Sequence, residues 1–448
     1  MKNKTALIGL FFLVSQLARA QTFTVIKHFT GGDGANPYGG VLLAGNVLYG
    51  TTYAGGSSNQ GTVFKVNPDG TGYNVLKEFL VGSLDGERPR AGLVMANTRF
   101  YPHLLFGTTE DGGSYFGHGT AFRLDTNGAG FILLKKFVGT DGTNPFAPLL
   151  LANSARQTTA YGTATIGGNH SMGTVFKLFA DGSGFTVLKP FTGMLNHDGE
   201  TPQAGLVQSG NVLFGTTYSG GDSDKGTVFR LNTDGSGYSV LIHFDGTNGA
   251  RPSAGLVVSD GVLYGTTTIG GNFASGIVFR VNVNGTGYSV LTHFNGPNGA
   301  KPQAGLTLSG GVLYGTTSAG GSARAGTVFQ IRTNGSGFVV LKHFSNLVNS
   351  TNADGAHPYA GLVLSSNILY GTTRDGGSQG KGVVFKLSLG LPLVELPKPP
   401  HKSWYYNLFW WWSHQLPPDL HPKVPTVSPD DRHPGSVTSG RNVSHLYQ

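Results

Sequence analysis

The chain contains no cysteine, so it has neither a disulfide framework, nor a thiol nucleophile, nor a lipid-bearing cysteine. Charged residues make up only 12% of its 448 residues, well below the roughly 25% of an ordinary globular chain. A net charge of +8 forms no basic stripe: Lys2, Lys4 and Arg19 fall in the first twenty residues, and the other cations are scattered. Nucleic-acid binding needs a concentrated basic face and is excluded on that ground. Long apolar runs are also missing. Residues 6–14 and 408–412 both fall short of the about 20 needed to span a bilayer, so the mature chain is read as lacking a transmembrane segment. No part of the repeating region sustains helical periodicity, which leaves an all-β chain.

What is plentiful is glycine, at 72 residues, beside 11% aromatics. That pairing excludes a disordered glycine-rich polymer and a collagen triplet alike. It suits many tight turns between short apolar strands. The start of the chain is different in kind. Met1-Lys2-Asn3-Lys4, the apolar stretch 6–14 and Ala18-Arg19-Ala20 are the three parts of a cleaved secretory leader. Residues 1–20 are therefore read as a signal peptide, with Gln21 first in a secreted or surface-displayed protein.

One pattern recurs seven times from there on. Its mark is an aromatic-Gly-Thr element, as in Tyr49-Gly50-Thr51-Thr52, Phe214-Gly215-Thr216-Thr217 and Tyr370-Gly371-Thr372-Thr373. A Gly-Gly pair follows, then a Gly-Thr-Val-Phe-like strand. Each unit resolves into four short strands: a (Ala-Gly-Leu-Val), b (Tyr-Gly-Thr-Thr), c (Thr-Val-Phe-Lys) and d (aromatic-x-Val-Leu-x-x-Phe). Asp-Gly and Asn-Gly turns such as Asp234-Gly235 join c to d. Seven such units predict a seven-bladed β-propeller over 21–388. The seventh c strand has no d strand after it, whereas a surplus d strand, 23–29, stands at the start of the mature chain. A ring explains both, with the N-terminal strand completing the last blade. Strand d carries Lys27, Lys77, Lys136, Lys189 and Lys342, and His28, His243, His293 and His343, which reads as a solvated outer edge.

The motif series Gly-Val-Leu-Tyr-Gly-Thr-Thr, Gly-Gly, Gly-Thr-Val-Phe, over about 30–388, resembles the GloVer tandem-repeat family of exported bacterial proteins with a choice of C-terminal anchors. The resemblance implies the surface or surroundings of a bacterium and leaves the activity open. Kelch propellers share Gly-Gly pairs, but this array has no tryptophan. From 389 the composition changes. All four tryptophans (Trp404, Trp410, Trp411, Trp412) and ten of the 22 prolines lie beyond that point. No Pro-Glu-Pro sorting signal with a membrane span is present. Residues 389–448 read as a disordered tail, with an aromatic carbohydrate-contacting patch or an altered reading frame as alternatives.

In an up-and-down meander the b–c and d–a loops share one face. The d–a loops repeat an Asp/Asn-Gly-x-x-Pro frame, from Asp33 to Pro37 and so on to Asp354 to Pro358. Calcium is the ion such a carboxylate ring would suit. A turn leading into the next blade explains the frame equally and is preferred, so no metal or cofactor is assigned. The b–c loops keep their glycines and vary between them, as a scaffold presenting a binding surface does. The ligand-binding candidates are Tyr115, Phe116, His118, Tyr218 and Arg374, since flat rings beside polar groups suit sugars. No H-E-x-x-H motif occurs. Glu110, Asp111 and His118 are the best acid–base candidates. The leading reading is a non-enzymatic, exported binding module for a glycan or another envelope component. An extracellular polysaccharide hydrolase or lyase is the alternative, and a purely structural envelope protein the third.

Overall fold

The computed structural model describes residues 21–96, 98, 101–113, 117–153 and 157–390. Residues 1–20, expected to be a leader, and those from 391 lie outside the described residues. The described part is seven four-stranded antiparallel sheets arranged as the blades of a propeller. Blade 4 is typical: Val207–Ser209 (a), Val212–Thr217 (b), Thr227–Asn232 (c) and Ser239–His243 (d), paired in that order from the axis outward. In the seventh blade Val363–Ser365, Ile368–Thr373 and Val383–Ser388 are followed by Thr22–His28 from the other end of the chain. The register runs from Thr22↔Ser388 to His28↔Val383, with a bulge between Val25 and Lys27. The same bulge occurs in the c–d pair of every blade, for example opposite Val228 and Phe229. The N-terminal strand is therefore an ordinary strand d that happens to come first.

Strand b is buried on both faces, and its glycine is placed by a neighbour rather than by a turn. Gly215 is paired with Phe229 across the b–c ladder, and a Cβ on it would lie 2.6 Å from the Phe229 ring. The corresponding distance is 2.5 Å at Gly50 and 2.6 Å at Gly371. None of the three glycines has positive φ, so close approach alone requires them. The ring thus seated meets the phenylalanine that ends strand d of the preceding blade: Phe191–Phe229 at 5.4 Å, Phe29–Phe64 at 5.2 Å and Phe344–Phe385 at 5.5 Å. The aromatic residue opening strand d, such as Tyr238, packs against the same ring with centroids 5.8 Å apart. The first motif threonine donates to the next blade, from Thr51 to the Ala91 carbonyl (2.7 Å) and, across the closure, from Thr372 to that of Gly39 (3.0 Å).

The lysines of strand d are tucked in rather than solvated. Lys189 is 18% exposed, lies 4.5 Å from the Tyr238 ring of the next blade and pairs with Asp198 at 2.5 Å. Lys27–Asp33, Lys77–Asp85, Lys135–Asp141 and Lys342–Asp354 repeat the pair at 2.5–2.6 Å. The register makes Lys135, not Lys136, the equivalent in blade 2. At the two remaining joints Ile242 and Thr292 stand where the lysine would be. The acid is replaced there by Asn248 or Asn298, whose amide donates to the His243 or His293 carbonyl. The Asp/Asn alternation is therefore matched to the presence of a lysine. Among the described residues no three His, Asp or Glu side chains converge as metal ligands would.

Two stability outcomes are expected. Gly215→Ala should destabilise by about 1–3 kcal/mol, the scale of core overpacking, and Phe229→Leu in the same chain should recover part of that loss in a denaturant double-mutant cycle. Lys189→Ile alone leaves Asp198 unpaired and should cost on the order of 2–3 kcal/mol. Adding Asp198→Asn should restore most of it by recreating the chemistry of the joint at Ile242 and Asn248. A fully additive pair would refute the coupling.

Candidate functional site

The d–a and b–c loops lie on one face and are knitted together. Short antiparallel bridges join them blade after blade, as at Ala250↔Ile269 and Ala356↔Asp375. The residue before each frame proline has positive φ although none is glycine, from Asn36 (52°) to Arg251 (57°) and His357 (55°). The strain, of order 1 kcal/mol or more each, is offset by two backbone bonds between blades. Arg251 N–H donates to the Lys225 carbonyl (2.7 Å) and its carbonyl accepts from Thr268 N–H (3.2 Å).

After that proline one residue points to the axis before the Ala-Gly-Leu of strand a. These residues ring an axial cavity of about 430 Å³. Around four consecutive blades they are Tyr359, Tyr38, Arg90 and Phe146; around the other three they are Gln203, Ser253 and Gln303. Beneath them the wall is backbone. A Cβ on Gly92 would sit 2.9 Å from the Gly40 carbonyl oxygen, and one on Gly255 3.1 Å from that of Gly205.

The two arcs differ in chemistry. In the first, Tyr38 and Tyr359 have ring centroids 5.1 Å apart. Arg374 donates to both hydroxyls, at 3.3 and 3.2 Å, and binds Asp375 through Nε (2.7 Å) and Nη2 (2.5 Å). His357 Nδ1 lies 2.7 Å from the same carboxylate. Burial opposes ionisation of Asp375, but the hydrogen bonds from His357 and Arg374 outweigh it and hold the carboxyl below its usual range. Arg90 lies between Tyr38 (5.1 Å) and Phe146 (4.5 Å), with Glu110 at 3.6 Å. Burial holds the Glu110 carboxyl above the ordinary value, Asp111 adds to this, and Arg90 and Arg88 oppose it. The second arc is uncharged: Ser253 pairs with Thr268 at 2.8 Å, and Gln303 donates to Ser318 at 3.1 Å.

The candidate residues are thus partly gathered. Arg374 stands in the first arc and Glu110 behind it. Asp111 turns away, to Arg88 (3.1 Å) and the Asn144 amide (3.3 Å). Tyr218 lies beside the Arg251 guanidinium at 5.3 Å. The His118 carbonyl accepts from Asn144 N–H at 3.0 Å. Tyr115 and Phe116 lie outside the described residues. Sequence reasoning missed Tyr38, Arg90, Phe146 and Tyr359. The available signal was the chemically variable position after the frame proline, inside a Pro-x-Ala-Gly-Leu frame that five of the seven repeats keep.

The strand d histidines hold the b–c loops by their backbone. His243, His293, His343 and His28 each accept a loop N–H at Nδ1, from Asp222, Asn272, Ser322 and Ser378 at 3.1–3.2 Å. The opposite face carries the c–d turns, where Asp234 accepts from Ser236 N–H (2.9 Å) and its hydroxyl (2.7 Å).

The model of the Gloeobacter/Verrucomicrobia repeat matches residues 9–222, 103–311 and 270–392. No curated protein matches the chain. Among solved structures, a puromycin-hydrolysing peptidase of Mycobacterium tuberculosis is similar at TM-score 0.50 and 13% identity, over 84% of this chain and 57% of its own. An oligogalacturonate lyase in complex with manganese matches at TM-score 0.48 and 10% identity, over 83% and 94%. A nidogen/laminin complex matches at 0.38 and 19%, over 60% and 85%. At such identities the likeness concerns the fold alone.

Burial, with the Lys27 charge adding to it, lowers the His28 pKa from 6.5. Folding thus favours the neutral ring. Its contribution is complete above about pH 6.5 and is lost as pH falls through the lower folded value. Urea midpoints should drop between about pH 7.5 and 5.5, and less steeply in His28→Asn, which keeps an acceptor but does not titrate. Identical slopes would remove Nδ1 as the cause.

Proposed function

The chain belongs to the Gloeobacter/Verrucomicrobia repeat family, and from that premise we propose an exported, non-enzymatic propeller that holds a glycan at its axial mouth. One observation carries the reading: seven positions made equivalent by the repeat are filled unequally. Tyr359, Tyr38, Arg90 and Phe146 crowd one arc, and amides with a hydroxyl fill the other. The glycines of strand b, by contrast, are kept in every blade for the fold. A ring that is aromatic on one side and hydroxyl-rich on the other matches a pyranose, which presents C–H patches and hydroxyls together. The leader reading of residues 1–20 and the family support export to the bacterial surface or beyond. Glu110, a buried carboxyl held above its ordinary range, favours a second reading as a hydrolase or lyase of an extracellular polymer.

A glycan array followed by calorimetry on the mature chain tests this. Tyr38→Ala and Tyr359→Ala should each weaken binding about ten-fold or more, the scale of losing an aromatic hot spot. Asp234→Ala, in the opposite face, should leave affinity unchanged while lowering the melting temperature. Binding lost with Asp234→Ala and kept without the two tyrosines would place the ligand elsewhere. Shortening of a bound polymer over time would favour the second reading.

A further inference from the structure

Two arginines stand in the aromatic arc, and their hydrogen-bonding capacity is spent differently. Arg374 is committed to the Asp375 carboxylate and to the hydroxyls of Tyr38 and Tyr359. Arg90 makes no hydrogen bond among the described residues. Its nearest anion, Glu110 Oε2, lies 3.6 Å from Nη1, beyond hydrogen-bond reach. Yet the Arg90 side chain is 33% exposed and lines the cavity. Tyr38 and Phe146 flank its guanidinium. Stacking of this kind occupies the faces of the plane and leaves the N–H edge for a ligand. That edge is a preformed two-pronged donor, the geometry that a carboxylate accepts in bidentate fashion.

We propose that the glycan held at the mouth is acidic, its carboxylate taken by the N–H edge of Arg90 between Tyr38 and Phe146. The inference rests on the axial-mouth reading above and adds the ligand's charge. Glu110 then acts as an internal competitor. Its Oε2 is buried without a hydrogen bond, and the charged and titratable groups facing it are Arg90, Arg88, Asp111 and Tyr53. An incoming carboxylate would share Arg90 with a second anion. Protonation of Glu110 removes that repulsion, and its carboxyl is already held above the ordinary range by burial. A sugar acid ionises near about 3.5, as ordinary carboxyls do, so it stays anionic while Glu110 takes up its proton.

The probes are an oligoglucuronate and the same oligomer with its carboxyls reduced to alcohols, titrated into the mature chain by calorimetry. The acidic oligomer should bind at least about ten-fold more tightly, one charge-assisted pair being worth that much. Its affinity should rise as pH is lowered from neutrality toward the ordinary carboxyl value of 4.5, above which Glu110 is held, while that of the reduced oligomer stays flat. Arg90→Gln should abolish the preference, leaving the two oligomers with equal affinity. Glu110→Gln should tighten acidic binding and flatten its pH profile, a gain that a misfolded variant cannot give. Equal affinity for both oligomers, or a preference that survives Arg90→Gln, would overturn the inference and leave the glycan reading intact. Binding of neither oligomer, with a neutral glycan bound on the array, would overturn the inference alone. No glycan bound at all would remove both.

Discussion

A phenylalanine ring lying in the space of a missing side chain is the contact on which this propeller is built. Phe229 can cross strand b only because Gly215 has no Cβ, and in crossing it reaches the joint with the neighbouring blade. There it meets Phe191 on one side and Tyr238 on the other. The aromatic-Gly-Thr element and the Val-Phe element are thus two halves of one contact. Repetition of that contact in every blade sets how closely the blades approach, and so how wide the axial opening is.

This is why the blades were so legible in the sequence. Gly215 pairs with Phe229 fourteen residues on, within one hairpin, so local pattern and tertiary contact coincide. The surplus strand at 23–29 was equally readable, because a ring with a missing strand has one place for it. Contacts across the joints were harder. Lys135 and Lys136 are adjacent in sequence, and only the bulge in strand d decides which faces Asp141. The histidines looked like edge residues because a backbone N–H from the b–c loop of the same blade leaves no trace in composition.

The site was half legible for a related reason. Loops were expected to carry it on the b–c side, and Arg374 and Glu110 do lie there. The residues nearest the axis come instead from the start of strand a, where the frame is so uniform that attention falls on what is constant. Tyr38 and Arg90 differ in chemistry while Pro37, Pro89 and the following small residues do not. The backbone of the neck is fixed by glycines packed against neighbouring carbonyls, which lets one side chain per blade vary without disturbing the ring.

The closing strand has a kinetic consequence. His28 and Ser378 are bonded across 350 residues, so the strand at Thr22–His28 must wait, unpaired, for the last blade. Until then blade 7 presents an open edge, and the waiting strand is a free β-segment of matching register. Contacts this distant in sequence form slowly. Two chains folding at high concentration can satisfy both edges by exchanging their first strands, each keeping the ladder that Thr22–His28 makes with Val383–Ser388. The segment that locks one molecule is also the one through which two become entangled.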